Sequence, residues 1–330
     1  MCCGLKVRWF FILGVLGAAL LGFAAFLAKS GPEGNPSQQV TVVIKPGTSS
    51  YQIAEQLAEE GVLSYPWVFL IAHWLTYPRK PLIAGEYAFA KNSSGFEIAN
   101  QMQEGRVVIR KFTIPEGWTV AQVVASLEQI ECLTGTIQTT PFEGSLLPET
   151  YLYVYGEDRQ VLVNRMQKAM QQQLNQLWQT RQSDDRIIQT PEMALALASI
   201  IEKETAIKSE RGRIAGVFMN RLRLKMPLQS DPTVIYALTL GKKSLDRPLS
   251  RADLSVVSDY NTYRVIGIPP GPIACPGKES LKAVLNPESS EALYFVANGS
   301  GGHTFSQTLD QHNRHVASWR RLNRFAKKGE

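Results

Sequence analysis

The chain reads as an α+β protein with an N-terminal transmembrane helix, and three observations predict that class. Trp9 to Ala28 is an uncharged run of twenty residues, long enough to cross a bilayer as a helix. The order strand, Pro and Gly turn, Ser- or Thr-capped amphipathic helix occurs twice, from Val40 and again from Val108. Met193 to Ile201 is an apolar run rich in Ala and Leu, too long for a typical buried strand and built of good helix formers. At 330 residues the chain has room for more than one domain beyond the anchor.

Lys6 and Arg8 precede the apolar run. The positive-inside rule then puts residues 1–8 in the cytoplasm and everything after Lys29 outside it. A cleaved signal peptide is the rival, because Ala28-Lys29-Ser30 passes as a weak processing site. The apolar core exceeds the usual 7–15 residues of such peptides, which favours a retained anchor over 9–28. Cys2 and Cys3 fall on the cytoplasmic side, where acylation is possible, and no lipobox-like segment precedes them. Residues 29–39, containing SGPEGNPSQQ, form a polar linker.

Residues 40–105 make the next unit. A strand begins at Val40, turns at Pro46-Gly47 and enters a helix capped by Ser49, with Gln52 completing a capping box. A second helix from about Pro66 to Leu75 and a strand at Gly85 to Ala90 complete a strand-helix-helix-strand module. It resembles the LysM fold, a peptidoglycan-binding module; the alternative is a small α+β spacer with no ligand affinity. A helix from about Ser94 should end at Gly105, and the boundary is placed there. The second domain, 106–330, opens with VIRKFTIPEGWTVAQVVASLEQ, which repeats the first unit's opening with Thr119 as cap and Gln122 behind it.

The apolar helix of this domain starts with Thr190 as N-cap and Pro191 in the first turn. It carries Glu202 and Glu204. Two residues on a helix are roughly 200° apart, so the two carboxylates cannot face one cleft, and one is expected to be catalytic and the other structural. A buried unpaired carboxylate keeps its proton, which is what a general acid needs; the alternative is pairing with Lys203, Lys208, Arg211 or Arg213 on a solvated face. A second amphipathic helix, about Arg211 to Lys225, sets Asn220 and Arg221 beside its apolar face. Ser230-Asp231-Pro232 reads as the next helix start, with Asp231 at the N-cap, Pro232 at N1 and Gly241 near the end. Gln229, Ser230 and Asp231 then cluster at a helix N-terminus, a place that favours negative or hydroxyl-rich ligands, or merely cap it. In YNTY, Tyr260, Asn261 and Tyr263 are polar candidates, or an aromatic turn with its hydroxyls satisfied by backbone. Gly267 to Gly277, opening GIPPGP, is a rigid loop.

Of four histidines, His312 and His315 lie three apart, yet no HExxH or acidic companion accompanies them. No metal and no cofactor is predicted, and His303 and His312 are read as braces. Cys132 and Cys275 lie outside the cytoplasm, where a disulfide is permitted. The net charge is +6, with Arg320, Arg321, Arg324, Lys327 and Lys328 clustered at the C-terminus. That cluster suits anionic lipid or an acidic wall, or is a solvated frayed end. No nucleic-acid motif accompanies it.

IIEKET, FMNRLR, LQSDPTVIYAL, SDYNTY, GIPPGPIACPG, LYFVANG, GGHTF and the final QHN follow one another in the order seen in the YceG-like endolytic murein transglycosylases, the MltG family. FEGSLLPETYLY and IPEGWT upstream resemble that family too. The resemblance implies a YceG-like α+β catalytic domain and cleavage of the MurNAc-GlcNAc bond of peptidoglycan without water. A glutamate protonates the glycosidic oxygen, its conjugate base takes the proton from the muramyl 6-hydroxyl as this attacks C1, and a 1,6-anhydromuramyl end is left. By position in the E-K-E motif, the catalytic residue is Glu204, with Glu202 in support.

An internal nucleophile removes the need for the second carboxylate of ordinary glycosidases. A raised glutamate pKa supplies the acid, and dipoles stabilise the developing charge; Asn220, Gln229, Ser230, Asp231, Tyr260, Asn261, Tyr263 and His303 are the candidates. The expectation is a single-pass enzyme of the inner (plasma) membrane, its catalytic domain periplasmic, cutting nascent glycan strands and terminating their elongation. Peptidoglycan synthases as partners follow from the resemblance only. The alternatives are a membrane-tethered peptidoglycan-binding scaffold without activity, or a conventional muramidase pairing Glu204 with Glu149 or Asp231.

Overall fold

A computed structural model describes residues 14–15, 17–23, 35–78, 80–91, 93–181 and 186–326. The expected membrane span falls largely outside them. Residues 14–15 and 17–23 are helical, and among the described residues no helix is long and apolar enough to cross a membrane.

The chain folds as two compact units, one reaching to Arg110 and including Leu152–Glu157, the other formed by Lys111–Tyr151 and Asp158 onward. The sequence places the boundary near Gly105. The return of Leu152–Glu157 to the first unit is a discontinuity that no local composition change marks.

In the first unit, strand β1 (Asn35–Ile44) pairs antiparallel with β2 (Gly85–Lys91), Val42 opposite Tyr87 and Ile44 opposite Gly85. Strand alternation buries Val42, Ile44, Tyr87 and Phe89 under three helices, α1 (Ser50–Glu59), α2 (Pro66–Thr76) and α3 (Gly95–Gln103). Ile53, Leu57, Phe69, Ile98 and Met102 fill the space between. Ser49 and Gln52 form the expected capping box, and Ser94 with Glu97 forms another. The strand-helix-helix-strand order is present, and α3 closes it. A side chain on Gly95 would sit 2.8 Å from the Phe69 Cα, so α2 and α3 touch backbone to backbone.

Strands β3 (Ile109–Thr113) and β4 (Thr150–Val154) form a two-stranded ribbon. Helix α4 (Val120–Glu128) follows, with Thr119 and Gln122 in the same capping box as Ser49 and Gln52. The repeated motif therefore takes the same local form in both places. Four helices then build the main core: α5 (Arg159–Gln179), α6 (Pro191–Glu204), α7 (Arg211–Arg223) and, beyond α8 (Asp231–Thr239), α9 (Lys278–Leu285). α6 is buried along nearly its whole length, which is why its sequence is apolar all round rather than on one stripe. Leu197, Ile201, Phe218, Leu281 and Val284 lie where α6, α7 and α9 meet. The hairpin of β5 (Tyr294–Ala297) and β6 (His303–Ser306), Phe295 opposite Phe305, packs on α7, and α10 (Leu309–Ala326) packs on the hairpin.

Cys132 and Cys275 are not bonded to each other, so the permitted disulfide is not formed. Cys275 is fully buried; burial above all pushes its thiol up to about 12.

Gly216 in α7 faces the carbonyl of Glu288, which a Cβ would meet at 2.4 Å. Alanine normally stabilises a helix interior by about 1 kcal/mol over glycine. Gly216→Ala is expected to do the reverse and lower stability by about 1–3 kcal/mol through overpacking, read as a shift in the urea midpoint at unchanged slope.

Candidate active site

Glu202 and Glu204 occupy the last turn of α6 and point to different sides, as the helical repeat requires. Glu202 turns inward. Its Oε1 accepts from the Arg211 guanidinium at 2.6 Å and its Oε2 from the Gly277 backbone N–H at 2.8 Å. Both side chains of the pair are 3% exposed. Burial raises the Glu202 pKa, against the pull of the Gly277 N–H and Arg211. Arg211 also reaches Glu116 at 3.0 Å, in the IPEGWT turn. That turn is bonded to the loop before α9 through Gly117 N–H to Cys275 O, 3.0 Å, and Cys275 N–H to Trp118 O, 2.7 Å. Glu202 thus ties together α6, the start of α7, the start of α9 and the turn before α4.

Glu204 is the final residue of α6 and opens partly to solvent. Unsatisfied carbonyls at a helix C-terminus disfavour negative charge there. Burial raises its pKa most strongly and the Asp231 carboxylate adds to this, outweighing Ser230, His303 and Arg221, which pull the other way. The Ser230 hydroxyl donates to Glu204 Oε1. Ser230 is itself buried, its N–H donating to Thr262 Oγ1 at 3.0 Å, while Gln229 N–H donates to Thr262 O at 3.0 Å. Thr262 and Thr233 hydroxyls meet at 2.8 Å. Gln229 adopts φ +55°, the left-handed region uncommon for side chains of its kind, and the bonds to Thr262 hold that corner. Helix α8 starts at Asp231 with Ser230 as its N-cap, one residue earlier than the sequence predicts. Ser230 makes no side-chain cap bond, because its hydroxyl is committed to Glu204.

A cavity of about 320 Å³ opens in front of Glu204, lined also by Arg221, Leu228, Gln229, Asp231, Tyr263, Phe295 and His312. Tyr263 donates its hydroxyl to Asp231 Oδ1 at 2.6 Å; burial, then that bond, raises the phenol pKa. Arg221 is buried and anchored by Nε to Leu293 O at 2.7 Å and by a second nitrogen to Leu228 O at 2.9 Å. His312 stacks on Tyr294 with ring centres 5.3 Å apart, and burial lowers its pKa.

The cavity gathers Glu204, Gln229 and Asp231 with Tyr263, and Ser230 lies directly behind. The other sequence candidates go elsewhere. Asn220 spends its amide on Ser290 O and Ala292 O, at 2.7 and 3.0 Å, away from the cavity. Asn261 is fully buried and braces its own loop through Leu254 O and Val256 O, at 3.0 and 2.8 Å. Tyr260 rests on Tyr236, ring centres 4.8 Å apart, and lines a different cleft. Glu149 is exposed beside β4 and does not line the cavity. His303 binds Glu210 through Nδ1 at 2.7 Å and its N–H at 2.9 Å. Those bonds lower the Glu210 pKa although burial opposes them. His303 also meets the Phe295 ring edge-on at 5.4 Å, so it braces a wall of the cavity.

The sequence reading did not place Arg221, Thr262 or Phe295 at the site; His312, read there as a brace, lines the cavity. A signal existed for Arg221. Neighbours on a helix are about 100° apart, so the Asn220-Arg221 pair had to split between two faces. Among the described residues no group of three His, Cys, Asp or Glu side chains is arranged to hold a metal ion.

The YceG-like family matches residues 42–318. The chain is similar to a Bacillus subtilis protein named endolytic murein transglycosylase, 42% identical over 175 residues, 53% of this chain and 47% of that one. It is also similar to a Streptococcus pneumoniae protein of the same name, 28% identical across 86% of this chain and 59% of the relative. The chain thus spans about half the length of the curated relatives it matches. Among solved structures it is similar to a YceG-like protein of Listeria monocytogenes, 31% identical with a TM-score of 0.49, covering 84% of this chain and 99% of that one.

The two glutamates should respond oppositely to substitution. Glu202→Ala leaves the buried Arg211 guanidinium with only the more exposed Glu116 as its acidic partner and should lower stability by up to about 3–5 kcal/mol in chemical denaturation. Glu204→Gln removes a group whose pKa is higher folded than unfolded. That group stabilises most when protonated in both states, and its contribution is lost as pH rises through the folded pKa. The glutamine variant should melt higher than the parent at about pH 8, the gap closing toward about pH 4; a gap independent of pH would contradict the assignment.

Proposed function

The chain belongs to the YceG-like family, and on that premise we propose that it is a peptidoglycan lytic transglycosylase in which Glu204 alone serves as acid and base. The observation that carries the reading is the position of Glu204. It is a carboxyl whose pKa is raised by burial, placed at a helix C-terminus, presented to a polar cavity and fixed by one hydroxyl. Protonated Glu204 gives its proton to the glycosidic oxygen as the C1–O bond breaks. The muramyl O6 then forms the new bond to C1, and its proton returns to Glu204. No water enters, and the acid is regenerated in its starting state. Asp231, oriented by Tyr263, supplies negative charge for the oxocarbenium-like transition state. Gln229 and the Arg221 wall complete the sugar contacts, while Glu202 acts only through the placement of α6.

One observation favours a second reading. Asp231 shares the cavity with Glu204, so a muramidase using that pair is the competing mechanism. The run Trp9 to Ala28 anchors the enzyme with its N-terminus cytoplasmic, and the catalytic unit works on nascent strands outside the membrane, ending their elongation beside the synthases. The strand-helix-helix-strand unit acts as a LysM-like glycan-binding module.

Mass spectrometry of uncrosslinked glycan strands treated with the protein should show products lighter by one water than reducing-end fragments. Glu204→Gln should lower their rate on the order of 100- to 10,000-fold. Reducing ends would establish the two-carboxylate hydrolase instead, and an undiminished variant would remove Glu204 from the chemistry.

The rate should also fall on the alkaline side as Glu204 loses its proton. Asp231→Asn removes a charge that holds the proton on, so its alkaline limb should move to lower pH. Ser230→Ala removes a bond that favours the anion, so its limb should move to higher pH. Identical limbs in all three proteins would assign the titration to another group.

A further inference from the structure

Two sequence motifs, FEGSLLPETYLY and GIPPGPIACPG, contribute nothing to the cavity around Glu204, yet they pack directly on each other. A Cβ on Gly144 would lie 2.6 Å from the Pro272 ring, so the corner after Phe142 packs its bare backbone against that proline. Together with α5 and the start of α6 they enclose a cleft of about 590 Å³, within the range of small-molecule sites.

The lining of this cleft has a definite chemistry. Tyr260 and Phe142 present rings; Tyr260 is braced by Tyr236 at 4.8 Å and Phe142 is 85% exposed. Gln167 and Gln171 offer amides with no hydrogen-bond partner among the described residues. Glu143 and Glu192 add carboxylates, and Glu143 Oε1 is held in place by the Val120 and Gly144 N–H groups at 2.9 and 3.2 Å. Among the described residues no lysine or arginine lines it.

We propose that this cleft is a distal subsite for a neutral N-acetylated hexosamine of the same glycan strand that enters the cavity at Glu204. Aromatic faces take the C–H face of a sugar ring, while amides and carboxylates pair with hydroxyls and an acetamido group. A stem peptide, which carries carboxylates, meets two more carboxylates and no cation here, so the charge pattern turns it away. Glu192 and Glu204 stand at opposite ends of α6, twelve residues or about 18 Å apart at 1.5 Å per residue. One straight helix therefore sets the spacing of the two sites, and only a strand several sugars long reaches both. The Tyr260–Tyr263 loop contributes one tyrosine to each. The inference rests on the glycan substrate proposed above and adds where a second part of it binds.

The test is calorimetry on the full chain carrying Glu204→Gln, titrated with chitooligosaccharides of increasing length. A second protein adds Phe142→Ala and Gln171→Ala, both at exposed positions, with unchanged melting as the control for folding. In the first protein affinity should climb with length. In the second the climb should stop early, leaving the longest oligomer about tenfold weaker. Identical length series in the two proteins would overturn the subsite. Product analysis on the native chain is independent of this readout: if it shows no anhydro ends, the catalytic reading fails while the length series still decides the subsite.

Discussion

The buried ion pair of Glu202 with Arg211 fixes the rotation of α6 and through it the aim of Glu204. Its net worth as stabilisation is small, since desolvating two charges consumes most of their attraction. What it supplies is register. A helix packed on every side by Leu, Ile and Ala tolerates small rotations at little cost, whereas a carboxylate that must meet both Arg211 and the Gly277 N–H does not. Because Arg211 also engages Glu116, the same contact sets α7, α9 and the turn before α4. Glu204, two residues along, inherits its direction from all of them.

Glu204 is therefore positioned by packing and tuned by neighbours of opposing sign. Burial and Asp231 hold the proton on; Ser230, His303 and Arg221 draw it off. In the proposed mechanism the same carboxyl gives up a proton and recovers it within one turnover, and groups that act on it in both directions stand around it.

Much of this was legible in the sequence because it depends on local rules. The capping boxes at Ser49 and Thr119, the Thr190-Pro191 helix start and the divergence of Glu202 from Glu204 follow from side-chain reach and a 3.6-residue period. The YNTY string was ambiguous for a physical reason. In a turn, consecutive side chains scatter, and Tyr260, Asn261 and Tyr263 end in three different environments. Asn220 looked like a site residue because a polar side chain beside an apolar face suggests a cleft, but it is consumed by carbonyls of a segment seventy residues on. His312 and Phe295 reach the cavity only through the folding of the β5–β6 hairpin and α10 onto α7, and the return of Leu152–Glu157 to the first unit is likewise a long-range event. Spacing along the chain says nothing about contacts of that kind.

The diverted cap at Ser230 has a consequence for how this chain can vary. A serine at an N-cap ordinarily answers only to its own helix, and threonine, asparagine or aspartate serve nearly as well. Here the hydroxyl has left the helix for the Glu204 carboxylate, and its residue is walled in by Thr262 and Thr233. An aspartate would set a third carboxylate against Glu204, and a bulkier residue would push on the threonine pair. A position that looks interchangeable by helix rules is thus held by two unrelated demands, and mutational drift in this stretch is confined to replacements that satisfy both.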